Sequence, residues 1–189
     1  MVEMLAMRQG PLDPLAGAAR ACTAVELSVA PPCAKFSLRG RTEVRAIAER
    51  SFGAALSDTA CRAAVSKDRA ALWLGPDEWL LLASEADADA IASQLSAALA
   101  GTHHALVDVS HRSAGILLKG PQAAALINHG CALDLAHASF PVGMCTRTLF
   151  EKAEIVLWRT EEHTYHVEIE RSFAVYVWTM LIEARREFA

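Results

Sequence analysis

From Ala34 onward the apolar positions switch between two periods. Phe36 and Leu38 alternate with Ser37 and Arg39, as on a half-buried strand, and Gly40 closes the run. Val44, Ile47, Ala48, Phe52 and Ala55 then recur at helical spacing, with Thr42 placed to cap that helix. Ala70–Leu74 and Trp79–Ala83 are short apolar strands separated by Gly75-Pro76-Asp77-Glu78, where proline pre-sets the second turn position, so the spacing predicts a hairpin. Ser84 with Asp87 opens a second helix whose Ile91, Leu95 and Ala98 share a face, and Gly101 stops it. Ala105, Val107 and Val109 alternate again, which gives the order β-α-β-β-α-β.

The second half repeats this scheme more loosely. Ala114, Ile116 and Leu118 alternate, Gly120-Pro121 opens a helix, and Gly130 marks its end. Thr148–Phe150, Ile155–Arg159 and Thr164–Glu170 read as strands, the last with Tyr165, Val167 and Ile169 on one face and Thr164, His166, Glu168 and Glu170 on the other. Ser172 is placed to cap a final helix from Phe173 to about Arg186. The expected fold is α+β: two small units of antiparallel sheet with helices on one face, split β-α-β or ferredoxin-like pairs, over residues 34–110 and 111–189. Residues 1–33, broken by Pro11, Pro14, Pro31 and Pro32, read as an arm laid along a surface, with a short strand at Val25–Val29.

Composition narrows the function classes. The 189 residues are 53% hydrophobic with a net charge of −4, enough apolar material for a real core and no basic face for nucleic acid. No apolar run approaches the ~18–20 residues that span a bilayer, and the N-terminus does not read as a signal peptide. Five widely spaced cysteines without a C-x-x-C suit a reducing cytoplasm better than a disulfide framework.

Candidate chemistry is sparse. Asp108-Val109-Ser110-His111-Arg112 holds the residue types of a triad, but in an extended segment His111 points away from Asp108 and Ser110. Ser and Asp bonding nearby backbone is the favoured reading, with Arg112 pairing Asp108 or hooking an interface. The seven histidines show no metal-ligand spacing, and no Gly-rich nucleotide loop follows a strand. Any flavin or nicotinamide is therefore expected on a partner. Trp73 and Trp79 flank the Pro76 turn; they either close a hairpin over the core or, with Asp77, His111 and Arg112, line a flat-ligand pocket such as one for a pterin. The last helix carries two apolar stripes where a surface helix needs one, so Phe173, Val177, Trp178 and Leu181 are candidate interface residues.

Several strings together resemble a known family. Trp73-Leu74-Gly75-Pro76-Asp77-Glu78-Trp79-Leu80, Val107 to Arg112, Gly120-Pro121, Gly130 to Leu135, Phe140-Pro141, Thr146-Arg147 and Arg171-Ser172-Phe173 occur in the order found in the gamma subunits of heterotetrameric sarcosine oxidases. The resemblance implies partnership with alpha, beta and delta chains, with FAD, FMN, NAD and tetrahydrofolate held by those partners and none by this chain. It implies a complex that turns sarcosine into glycine, methylenetetrahydrofolate and hydrogen peroxide, and a fold similar to part of the glycine-cleavage aminomethyltransferase. The N-x-x-G-G-x-x-D-D-like stretch of that transferase has no counterpart, since the only asparagine, Asn128, precedes His129-Gly130-Cys131. The expected role is thus an accessory, mainly structural subunit that self-associates when isolated. The alternative is a stand-alone folate-binding or one-carbon-transfer protein.

Overall fold

The computed structural model describes residues 9–18 and 22–188. Among the described residues, ten strands form two antiparallel five-stranded sheets. The first has the order β3-β4-β5-β2-β6, made of β2 (Cys33–Gly40), β3 (Ala63–Ser66), β4 (Arg69–Gly75), β5 (Glu78–Ser84) and β6 (His104–Asp108). Helices α1 (Thr42–Phe52) and α2 (Ala88–Ala98) belong to this half. The second sheet has the order β1-β7-β10-β9-β8, from β1 (Glu26–Val29), β7 (Ser113–Lys119), β8 (Cys145–Phe150), β9 (Ala153–Glu161) and β10 (Thr164–Glu170). Helices α3 (Ala123–Asn128) and α4 (Ala174–Ala184) accompany it.

The expected α+β class stands, with one added element. The first half runs β-α-β-β-β-α-β, because Ala63–Ser66 forms a strand joined to β4 by the two-residue Lys67-Asp68 loop. Three expected caps are replaced. Thr42 is the first helical residue behind an Arg41 N-cap, Ser84 leads into a short 3₁₀ turn before α2, and Ser172 lies within the 3₁₀ turn before α4, without side-chain capping bonds. The stretch read as an arm contributes to the second half: β1 pairs with β7, and Leu12 and Val25 are wholly buried in the second core. Gly120 makes this possible, since its φ is +136° and a Cβ there would lie 2.5 Å from the Ala24 carbonyl oxygen. The other N-terminal positions, 1–8 and 19–21, lie outside the described residues.

Each sheet buries both faces. On the helix side, Ala34, Phe36, Leu38, Trp79 and Leu81 meet Val44, Ala48, Ile91 and Leu95 in the first core. In the second, Ile116, Leu118, Ile155, Leu157, Tyr165 and Val167 meet Leu126, Val177, Trp178 and Leu181. The opposite faces meet each other, with Ala70, Leu72, Leu80, Leu82 and Cys145 buried together beside Val156 and Trp158. That is why Trp79–Ala83 is apolar throughout rather than alternating: β5 is covered on both sides. A backbone stitch reinforces the seam, with Arg62 and Met144 forming an isolated antiparallel bridge between the sheets. No helix among the described residues is long and apolar enough to cross a membrane.

Candidate functional site

Beside that apolar cluster, on β2 and β10, alternation turns polar side chains inward, with Lys35 next to Leu82 and His166 next to Trp158. Lys35 of β2 and Glu168 of β10 meet at 2.6 Å, with side chains only 5% and 3% exposed. The Lys35 ammonium also donates to the Ser113 carbonyl at 3.1 Å and hydroxyl at 3.2 Å, and the Ser113 hydroxyl donates to Glu168 at 2.6 Å. His166 Nε2 lies 2.8 Å from the other Glu168 oxygen, and its ring packs 6.0 Å from that of Trp158. Burial alone would push the Glu168 carboxyl up, but the His166 ring and the Lys35 ammonium outweigh it and hold it down at about 2. Gly115 leaves the room: a Cβ there would sit 2.7 Å from Ala30 Cβ, 3.0 Å from His166 Nε2 and 3.2 Å from Glu168 Oε1.

A second ionic node closes the same seam nearer the edge. Glu78 accepts from Arg39 at 2.7 Å and from Arg147 at 2.8 Å, and Arg147 reaches Glu154 at 3.4 Å. Between the nodes lies a cavity of about 110 Å³ touched by Arg112, Arg147, Glu168 and Glu170. A neighbouring cavity of about 180 Å³ is lined by Lys35, Ser110, His111 and Ser113 together with Leu12 and Pro31. Every charged group of the inner network is engaged, so its chemistry is that of a fixed electrostatic clamp across two sheets.

The Asp108–Arg112 segment is a structural turn. The Ser110 hydroxyl donates to Asp108 at 2.6 Å, its backbone N–H donates to the same oxygen at 2.8 Å, and it accepts from the Lys35 backbone N–H at 3.0 Å. These bonds from Ser110 hold the Asp108 carboxyl below the usual range. Arg112 approaches Glu170 at 3.9 Å, which corrects the expected Asp108 pairing: the turn points the guanidinium toward the end of β10. His111 is exposed and lines the larger cavity.

The five proposed ligand residues do not converge. Trp73 and Trp79 are cross-strand partners packed on the first core, and Trp79 Nε1 donates to the Ser57 carbonyl at 2.9 Å. Asp77 lines a different hollow, with Arg41 and His104. His111 and Arg112 face the two separate seam cavities. Among the described residues no three His, Cys, Asp or Glu side chains come together as a metal site.

Three of the four expected interface residues, those on α4, face inward. Val177, Trp178 and Leu181 are buried in the chain's own second core, because the stripe they form with Ala174 is the one that faces the sheet. Phe173 is exposed, and its apolar company on the outside of the helix is Val175, Tyr176 and Met180. The inner network was missed because the polar face of β10 reads as solvent-facing in isolation. Gly115 in mid-strand was the one local sign of a close approach.

Two antiparallel sheets packed face to face, each backed by helices, define a two-unit α+β protein of aminomethyltransferase-like architecture. Glycine cleavage system aminomethyltransferase T from Bartonella henselae shares this fold at a TM-score of 0.63 and 14% identity, over 87% of this chain and 46% of that one. The model of the sarcosine oxidase gamma subunit family matches residues 43–187, and the chain belongs to that family. Sarcosine oxidase subunit gamma of Arthrobacter sp is 34% identical over 127 residues, 67% of this chain and 62% of that protein. The corresponding subunit of Corynebacterium sp. (strain P-1) is 34% identical over 120 residues, 64% of this chain and 58% of that one. The chain thus matches about three fifths of the length of these curated relatives. A chain in the structure of heterotetrameric sarcosine oxidase from Corynebacterium sp. U-96 in complex with pyrrole 2-carboxylate superposes at a TM-score of 0.89 with 29% identity, over 96% of both chains.

Proposed function

We propose that this chain is an accessory, non-flavin subunit of a heterotetrameric sarcosine oxidase in the cytoplasm, with alpha, beta and delta chains as partners. The assembly would demethylate sarcosine oxidatively to glycine, with tetrahydrofolate and oxygen as co-substrates and methylenetetrahydrofolate and hydrogen peroxide as products. FAD, FMN, NAD and tetrahydrofolate would be held by the partners. The observation that carries the reading is the superposition over 96% of both chains on a component of such a heterotetramer. The role proposed for this chain is to bury surface against the alpha and beta chains, and the outward stripe of Phe173, Tyr176 and Met180 supports it. The scattered positions of Trp73, Asp77, Trp79, His111 and Arg112 give no support to a stand-alone folate protein.

Co-expression tests the reading. A tagged copy produced with candidate alpha, beta and delta chains is expected to elute as a yellow, stoichiometric complex. Produced alone, it is expected to be colourless and to self-associate through its uncovered apolar surface. A colourless monomer that ignores those partners would overturn the proposal.

A further inference from the structure

We propose that Cys61 and Cys145 form a peroxide-responsive thiol pair at the point where the two sheets are hydrogen-bonded to each other. The stitch around Arg62 and Met144 sets the geometry. The Cys145 N–H donates to the Cys61 carbonyl at 3.0 Å and the Ala63 N–H to the Gly143 carbonyl at 2.8 Å, which places Cys61 directly opposite Cys145. Directly opposed residues of an antiparallel pair have Cα atoms roughly 4.5–5.5 Å apart, within the ~4.4–6.8 Å that a disulfide bridges.

Cys145 is buried among Leu72, Leu80 and Leu82, and its Sγ donates to the Trp73 carbonyl at 3.5 Å. Ala63, where β3 begins just after the stitch, packs against that cluster. Cys61 holds a φ of +58°, a conformation that side-chain-bearing residues keep only where their surroundings impose it. Burial pushes the Cys145 thiol up to about 12, and Cys61 adds to that rise.

The exposure of the two sulfurs orders the chemistry. Cys61 is half-buried and open to a small oxidant, whereas Cys145 is enclosed and stays a thiol. The Cys61 sulfur attacks one oxygen of hydrogen peroxide, the O–O bond breaks, and sulfenic acid and water result. The Cys145 thiol then attacks the sulfenic sulfur, the S–S bond forms, and the departing hydroxyl leaves with the Cys145 proton as a second water. Two thiols are oxidised to one disulfide while peroxide is reduced to two waters, and the bond that forms ties the first sheet to the second. The inference stands apart from the proposed activity, because the oxidant in the test is added.

The full chain is treated with hydrogen peroxide, alkylated, and mapped without reduction. The expected product is one linked peptide pair carrying Cys61 and Cys145, two hydrogens lighter than the separate peptides and released by dithiothreitol, with a raised unfolding midpoint. Cys22, Cys33 and Cys131 remain available to the alkylating agent after unfolding. C61S abolishes the link, while C145S leaves Cys61 as a sulfenic acid that a dimedone probe captures. Recovery of Cys61 in the unsubstituted chain as sulfenic or sulfinic acid with no link to Cys145 would overturn the proposal. So would a link from either residue to another cysteine.

Discussion

The two faces of each sheet are buried by different means. Toward the helices the interface is aliphatic and aromatic: Phe36, Leu38 and Leu81 in one half, Leu118, Leu157 and Trp178 in the other. Toward the partner sheet it is apolar around Leu72 and Leu80 and ionic on the neighbouring strands, where Lys35, Ser113, His166 and Glu168 interlock. An apolar surface gains energy from any well-fitting apolar neighbour and does not by itself choose a register. A buried carboxylate with specific donors is strongly disfavoured in other alignments, because misalignment leaves it uncompensated. The contrast teaches that apolar burial against the helices stabilises each half, while the ionic part of the seam fixes how the halves meet.

The largest effect is expected on the helix side. Trp178→Ala should lower unfolding stability by about 3–5 kcal/mol in denaturant titrations through the cavity it leaves. Replacing one member of the clamp should cost nearly as much for a different reason. Lys35→Met leaves the buried Glu168 with only His166 and Ser113 as partners, an expected loss of about 3 kcal/mol. The double variant Lys35→Met with Glu168→Leu should recover most of that loss; failure to recover would show that the contribution lies in packing rather than in charge compensation.

Acid sharpens the comparison further. With its folded pKa at about 2 against an ordinary 4.5, Glu168 contributes stability that is fully present above pH 4.5 and is lost as pH falls through 2. The shift corresponds to about 3 kcal/mol, and Glu168→Gln should flatten that limb of a stability–pH profile. The smallest effect is expected at the rim. Arg112 and Glu170 are exposed and 3.9 Å apart, so Arg112→Ala should change stability by no more than about 0.5 kcal/mol.

These differences also explain what the sequence made legible. The helices and most strands followed from period alone, and β10 matched at both ends because Tyr165, Val167 and Ile169 alternate cleanly. Strand β3 was hidden because Ala63-Ala64-Val65-Ser66 is short and small-chained, with only the Lys67-Asp68 loop to betray it. The clamp was hidden because the outward face of β10 becomes inward only when a second sheet covers it, a fact of tertiary pairing that no local period carries. For the same reason the two stripes of α4 were visible, but which of them the chain itself covers was not. The uninterrupted apolar run of β5 was the strongest available sign of burial on both faces.

The proposed role is tested most directly by the assembly with and without this chain. The proposed alpha, beta and delta partners are purified in both forms, and flavin content, thermal midpoint and turnover of sarcosine per bound flavin are measured. A structural subunit predicts that omission lowers flavin retention and the midpoint while turnover per remaining flavin holds. Full flavin retention and an unchanged midpoint, with turnover lost, would contradict it and place this chain in the chemistry itself.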